Sequence, residues 1–161
     1  MRTSRPIAVY LRDHETGAEA GLRAFRRAAG SHRSRPWGSD LAHLAGQVRD
    51  DLRTEQRMLR FRSVRRRRLG AVVVALGERA GRLKGNGRVL RRSPTTDVIE
   101  LEGLLALVQA KRAHWRTLEL AGLLEGSGID VGALVSRADA QLRRLDAAHD
   151  QAAAALRARA R

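Results

Sequence analysis

The sequence predicts an all-α fold, an antiparallel bundle of four to five helices with a ferritin-like layout as one form of it, and three observations carry that expectation. Apolar residues recur at spacings of three and four over five separate segments, the period of one helix face. Aromatic residues make up only 3% of the 161 residues, so the interior must be built from Leu, Val and Ala, which suits close helix packing. No segment alternates apolar and polar residues as a half-buried strand does. One domain over residues 1–161 is long enough to bury a genuine core.

The first predicted helix covers 7–29, with Ile7, Leu11, His14, Ala18, Leu22 and Phe25 on one stripe; Gly30 and the run through Pro36 to Gly38 end it. The second covers 40–60, capped by Ser39 or Asp40 accepting the free amides of its first turn. Its stripe is Leu41, Leu44, Val48, Leu52, Glu55 and Leu59. The third covers 64–83, capped by Ser63, with Leu69, Val72, Val73, Leu76, Ala80 and Leu83 inward. Its Gly70, Gly77 and Gly81 each weaken helix propensity by about 1 kcal/mol relative to Ala, tolerable where a neighbouring helix approaches closely. A connector rich in Gly and Arg leads to a fourth helix over 97–124, begun by Thr95 or Thr96. Val98, Leu101, Leu105, Val108, Lys111 or Arg112, Trp115 and Leu118 form its stripe. After a turn at 125–130 the fifth helix covers 131–158. Its seam of Val135, Ala138, Leu142, Leu145, His149, Ala152 and Leu156 suits packing inside the bundle or, as a homo-oligomer, against a second copy.

The absence of cysteine excludes disulfides, thiol catalysis and thiolate metal sites. The apolar stretch Ile7 to Leu11 is too short for a signal-peptide core, and the run Gly70 to Gly77 is far short of the ~20 residues of a membrane span. The expected location is cytoplasmic.

Net charge is +15, unevenly spread. Residues 1–48 hold 8 basic and 4 acidic side chains, residues 49–92 hold 15 and 4, and residues 93–161 hold 9 and 9. The middle section alone therefore carries +11, a field that attracts polyanions. Arg, Ala and Gly are abundant together, which a GC-rich coding sequence also produces, and a charge run is often only a solvated face.

Ionisable residues interrupt the apolar stripes at His14, Glu55 (with Asp51 one turn earlier), Lys111 and His149. In a bundle these project inward, where a charge is costly unless paired. His14, Asp51, Glu55 and Lys111 are therefore expected to form a polar core layer, with Lys111 or Arg112 neutralising the carboxylates and His14 hydrogen-bonded nearby. The competing chemistry is a carboxylate-bridged di-metal site, which needs Glu-x-x-His on two helices. The chain has no Glu-x-x-His, only Asp40-x-x-His43 and Asp146-x-x-His149, and no metal ligands or cofactor are assigned.

The segments Tyr10 to Leu22, Gly81 to Arg88 and Leu101 to Trp115 resemble those of a group of short uncharacterised bacterial proteins, similar in helix layout to ferritin-like bundles. The resemblance spans most of the first four predicted helices and implies that layout without implying an activity.

Arg65, Arg66, Arg67 and Arg68 occupy the first turn of the third predicted helix, opposing its dipole unless an anion binds there. With Arg82, Lys84, Arg88, Arg91 and Arg92 they form the candidate anion-binding surface. Gly85-Asn86-Gly87 lacks the strand before it and the Gly-Lys-Ser/Thr after it that a phosphate loop requires. Phe61 is the only aromatic near the run, so binding is expected to follow a phosphate backbone without reading sequence. An anionic membrane surface is the other candidate partner. There is no Gly-x-Ser-x-Gly elbow and no catalytic residue is assigned. His32 reads as a solvated loop residue, His114 as a surface residue, Trp115 as core, and Trp37 as packing over a bundle end. The expected function is thus a non-catalytic binding or structural protein for an anionic partner. The alternative is a ferritin-like metal protein, an oxidase or an iron store, with an atypical site.

Overall fold

The computed structural model describes residues 3–65 and 94–159. They form four helices, and no strand occurs among the described residues: α1, Arg5–Ser31; α2, Gly38–Phe61; α3, Pro94–Leu120; and α4, Val131–Arg159. Of the third predicted helix only Val64 and Arg65 are described, and they are not helical; the rest lies outside the described residues. None of the four helices is long and apolar enough to cross a membrane.

Two helical hairpins make the fold. α1 packs on α2, α3 packs on α4, and the hairpins meet chiefly through α1 and α3, less through α2 and α4. Named contacts fix the directions. Tyr10 meets His114 while His32 meets Glu100, so α1 and α3 are antiparallel. Gln47 meets Gln141 and Asp40 meets Arg144, so α2 and α4 are antiparallel too. The diagonal pair α2 and α3 runs parallel, with Asp51 facing Lys111 and Glu55 facing His114.

The core is aliphatic with three large rings. Leu11, Leu22 and Phe25 from α1 and Leu41, Leu44, Val48, Met58 and Leu59 from α2 pack with Leu101, Leu104, Val108, Trp115 and Leu118 of α3. Trp37 closes one end of the bundle and Trp115 lies in the core, as expected. The α4 seam is turned one residue from the expected one: Leu134, Ala138, Gln141, Leu145, Ala148 and Ala152 are buried, and Val135, Leu142 and His149 flank them. Spacings of four and three persist, so both registers fit the period, and the structure buries the amide of Gln141 where the sequence favours Leu142. The seam faces the bundle interior.

The helix ends depart most from expectation. α1 runs two residues past Ala29 into Ser31, whose hydroxyl donates to the Arg27 carbonyl. Ser39 and Asp40 lie inside α2, and the N-cap is Trp37 with no side-chain cap bond. The short turn explains this. Arg35 N–H bonds to His32 O and Gly38 N–H to Arg35 O, winding the chain directly into α2. A Cβ on Gly38 would stand 2.5 Å from the His32 carbonyl oxygen, so the turn closes this tightly only with glycine. Ser63 ends α2 instead of capping a following helix. It adopts φ 54°, with Ser63 N–H bonded to Arg60 O and Val64 N–H to Leu59 O, a Schellman motif sealed by buried Val64. α3 starts at Pro94, ahead of Thr95 and Thr96, and stops at Leu120 rather than 124, because Gly122 at φ 59° repeats the motif with Leu123 N–H bonded to Leu118 O. Asp130 Oδ1 accepts the Ala133 amide and caps α4.

Candidate functional site

Two features are candidates: a belt of buried polar side chains between the hairpins and an arginine-rich end of the first hairpin.

At the centre of the belt, Lys111 Nζ lies 2.5 Å from Asp51 Oδ2 and 2.5 Å from Gln141 Oε1. The Gln141 amide nitrogen donates to Asp51 Oδ2 and to Gln47 Oε1, each at 3.2 Å. Arg137 pairs with the other oxygen of Asp51. Asp51 thus faces two cations, which compensates its removal from water. Burial pushes the Lys111 ammonium below its ordinary value, and the Asp51 carboxylate beside it works in the opposite direction.

One turn along α2, Glu55 takes a different partner. It is 1% exposed, and its Oε2 lies 3.0 Å from Nε2 of His114, itself 2% exposed. The other His114 nitrogen lies 3.1 Å from the Tyr10 hydroxyl. Both ring nitrogens of His114 thus have a polar partner, Glu55 on one side and Tyr10 on the other. His14 stacks on His114, ring centroids 3.8 Å apart and planes 15° from parallel. Burial, and then the neighbouring His114, lowers His14 to a pKa of about 4.

The third part of the belt joins the α1–α2 turn to the start of α3. His32 is fully buried, with Trp37 Nε1 2.9 Å from its Nδ1 and Glu100 Oε2 2.9 Å from its Nε2. An indole N–H only donates, so Nδ1 is the acceptor and Nε2 carries the proton given to Glu100. Arg35 pairs with buried Asp97 at 2.6 Å beside it.

Of the predicted polar layer, Asp51 and Lys111 meet as expected, and His14 and Glu55 both border His114. Four expectations are corrected. Glu55 is served by His114, not by Lys111 or Arg112; Arg112 pairs with Asp139. His114 is core rather than surface, because α3 packs against both α1 and α4 and buries a wider arc than one stripe. His32 is enclosed rather than solvated, because the wound turn folds it under Trp37. His14 is held by ring stacking instead of the expected hydrogen bond. His149, half-buried, pairs with Glu102, and His43 is exposed beside Gln47. Among the described residues no group of three or more His, Asp or Glu side chains is placed to hold a metal ion.

Of the predicted anion-binding residues, Arg65 is described and exposed; Arg66, Arg67, Arg68, Arg82, Lys84, Arg88, Arg91 and Arg92 lie outside the described residues. The structure adds neighbours to Arg65. Thr3 Oγ1 donates to the Arg62 carbonyl at 2.6 Å and Arg12 Nε to the Arg65 carbonyl at 3.0 Å, bringing the start of α1 against the end of α2. Residues 3–12 and 56–65, so joined, contain six arginines and no carboxylate. Arg57, Arg60 and Arg65 are exposed, with no carboxylate of the described residues in ion-pair range. Sequence order hides this grouping, since Arg5 and Arg12 come from the start of α1.

The chain matches no protein-family model, no curated protein and no solved structure.

Proposed function

We propose that the chain is a non-catalytic, cytoplasmic binding protein whose first hairpin receives a polyanion, with a nucleic-acid backbone as the favoured partner. The observation that supports it is the carboxylate-free end built from 3–12 and 56–65, on a protein of net charge +15. Each residue of a helix rises about 1.5 Å, so Arg57 and Arg60 leave α2 roughly 4.5 Å apart along its axis. Arginine forks suit phosphate oxygens, and the counterions they displace make binding steeply salt-dependent. Residues 66–92, which follow Arg65 in sequence, carry a further net charge of +8.

Gel-shift titration of labelled DNA and RNA at about 50 and 200 mM salt tests the reading. Binding that weakens by an order of magnitude or more over that range supports it. No binding at the lower salt rejects the nucleic-acid form, and co-sedimentation with anionic vesicles under the same conditions would transfer the role to a membrane surface.

A second reading, a ferritin-like metal protein, draws on the two antiparallel hairpins, the parallel α2–α3 diagonal and the buried Asp51 and Glu55. Against it, the Lys111 ammonium sits where a cation would otherwise meet Asp51. Elemental analysis of the purified protein decides: stoichiometric iron or manganese lost in Glu55→Ala supports it, and a trace amount unchanged by that substitution rejects it.

A further inference from the structure

We infer that the partner at this end is a single-stranded nucleic acid, held by Arg57, Arg60 and Arg65 on its phosphates and by Phe61 stacking on one unpaired base. This rests on the polyanion reading above and narrows it.

Phe61 closes the last turn of α2 and is 43% exposed, while the other phenylalanine, Phe25, is 1% exposed. An aromatic ring left in water is unusual in a chain with so few of them, and its surroundings are specific. Arg57, one turn earlier, shares its side of the helix. Arg60 precedes it, and Arg65 lies just beyond the Schellman turn. Arg62 is turned the other way, its guanidinium reaching the Leu123 carbonyl of the second hairpin. The ring therefore stands among cations with no carboxylate on the two adjoining segments.

A π face flanked by guanidinium groups is the arrangement that takes an unstacked base while neighbouring phosphates are neutralised, and it tolerates any base. A duplex keeps its base faces covered and offers the ring nothing to stack on. An anionic bilayer would meet only one aromatic anchor here, little apolar area to insert.

Fluorescence anisotropy with labelled oligothymidylate and with a duplex of equal length tests the inference, using the full chain and its Phe61→Ala and Phe61→Trp variants. The result expected is tighter binding of the single strand than of the duplex. Phe61→Ala should lose roughly tenfold in single-strand affinity, leaving duplex affinity and the salt dependence unchanged. Phe61→Trp should retain binding, and its added indole emission should be quenched by the oligonucleotide. An unchanged affinity in Phe61→Ala, or equal binding of both forms, overturns the stacking while leaving the polyanion reading intact. Loss of binding to every nucleic acid, or Phe61-dependent binding to anionic vesicles alone, overturns both. Circular dichroism of each variant separates loss of the stacking ring from loss of the fold.

Discussion

The two hairpins are built alike and charged differently. Residues 3–65 carry 13 basic and 7 acidic side chains, whereas residues 94–159 carry 8 and 9. Both bury an aliphatic seam, and both end a helix in a Schellman turn, the first on Ser63 and the second on Gly122. In the second, charges of opposite sign are nearly matched in number and two basic residues turn inward, Lys111 and Arg137 joining Asp51. In the first, exposed arginines gather at one end with nothing acidic beside them. Stability of a hairpin requires neither arrangement, and the proposed polyanion role rests on this asymmetry.

The interface between the hairpins is where the comparison can be broken most severely. Polar side chains join them along its length, among them Glu55 with His114, Asp51 with Lys111, Gln47 with Gln141, and His32 with Glu100. Glu55→Ala removes one buried partner and strands His114; it should cost about 3 kcal/mol in urea denaturation, and a cost below about 1 kcal/mol would mean the hairpins are held by apolar packing alone. Lys111→Met should cost less, about 2 kcal/mol, because Arg137 still faces Asp51. A fully neutral result would show the central pair to be dispensable.

Acid sharpens the same interface. His14 stays neutral in the fold down to about pH 4, while in the unfolded chain it titrates near its ordinary 6.5. Between those values the unfolded chain binds the extra proton, so stability is full above pH 6.5 and falls as the pH drops toward 4. The loss should be roughly 1–2 kcal/mol after allowing for screening at a half-buried site, and His14→Gln should flatten that part of the denaturation profile. The smallest effect concerns the two Schellman turns. Ser63→Gly gives the first hairpin the residue the second already uses at positive φ and should raise stability by about 0.5 kcal/mol.

Much of this is legible in the sequence, and the failures have physical causes. The four described helices follow the three-and-four spacing, and α4 begins at Val131 as read. Asp51 and Lys111 can be singled out because a charge on an apolar stripe demands a partner. His114 cannot, since it flanks the α3 stripe and is buried only because α1 packs over that flank. Gln141 loses to its apolar neighbour Leu142, a choice the period alone does not make. His32 depends on a turn whose tightness lies in Gly38, where the sequence suggests only an end to the helix. The carboxylate-free end joins segments more than 40 residues apart, so no linear charge count displays it.

The salt dependence of nucleic-acid binding, measured for one triple substitution in each hairpin, tests the division of roles most directly. Arg57→Ala, Arg60→Ala and Arg65→Ala together should lower the log–log slope for a single strand by about 2, near 0.7 for each phosphate no longer neutralised. Arg143→Ala, Arg144→Ala and Arg157→Ala, an equal change in net charge on the second hairpin, should leave the slope where it was. Equal reductions from the two triples would contradict the account, because binding would then follow total charge and not the end of the first hairpin.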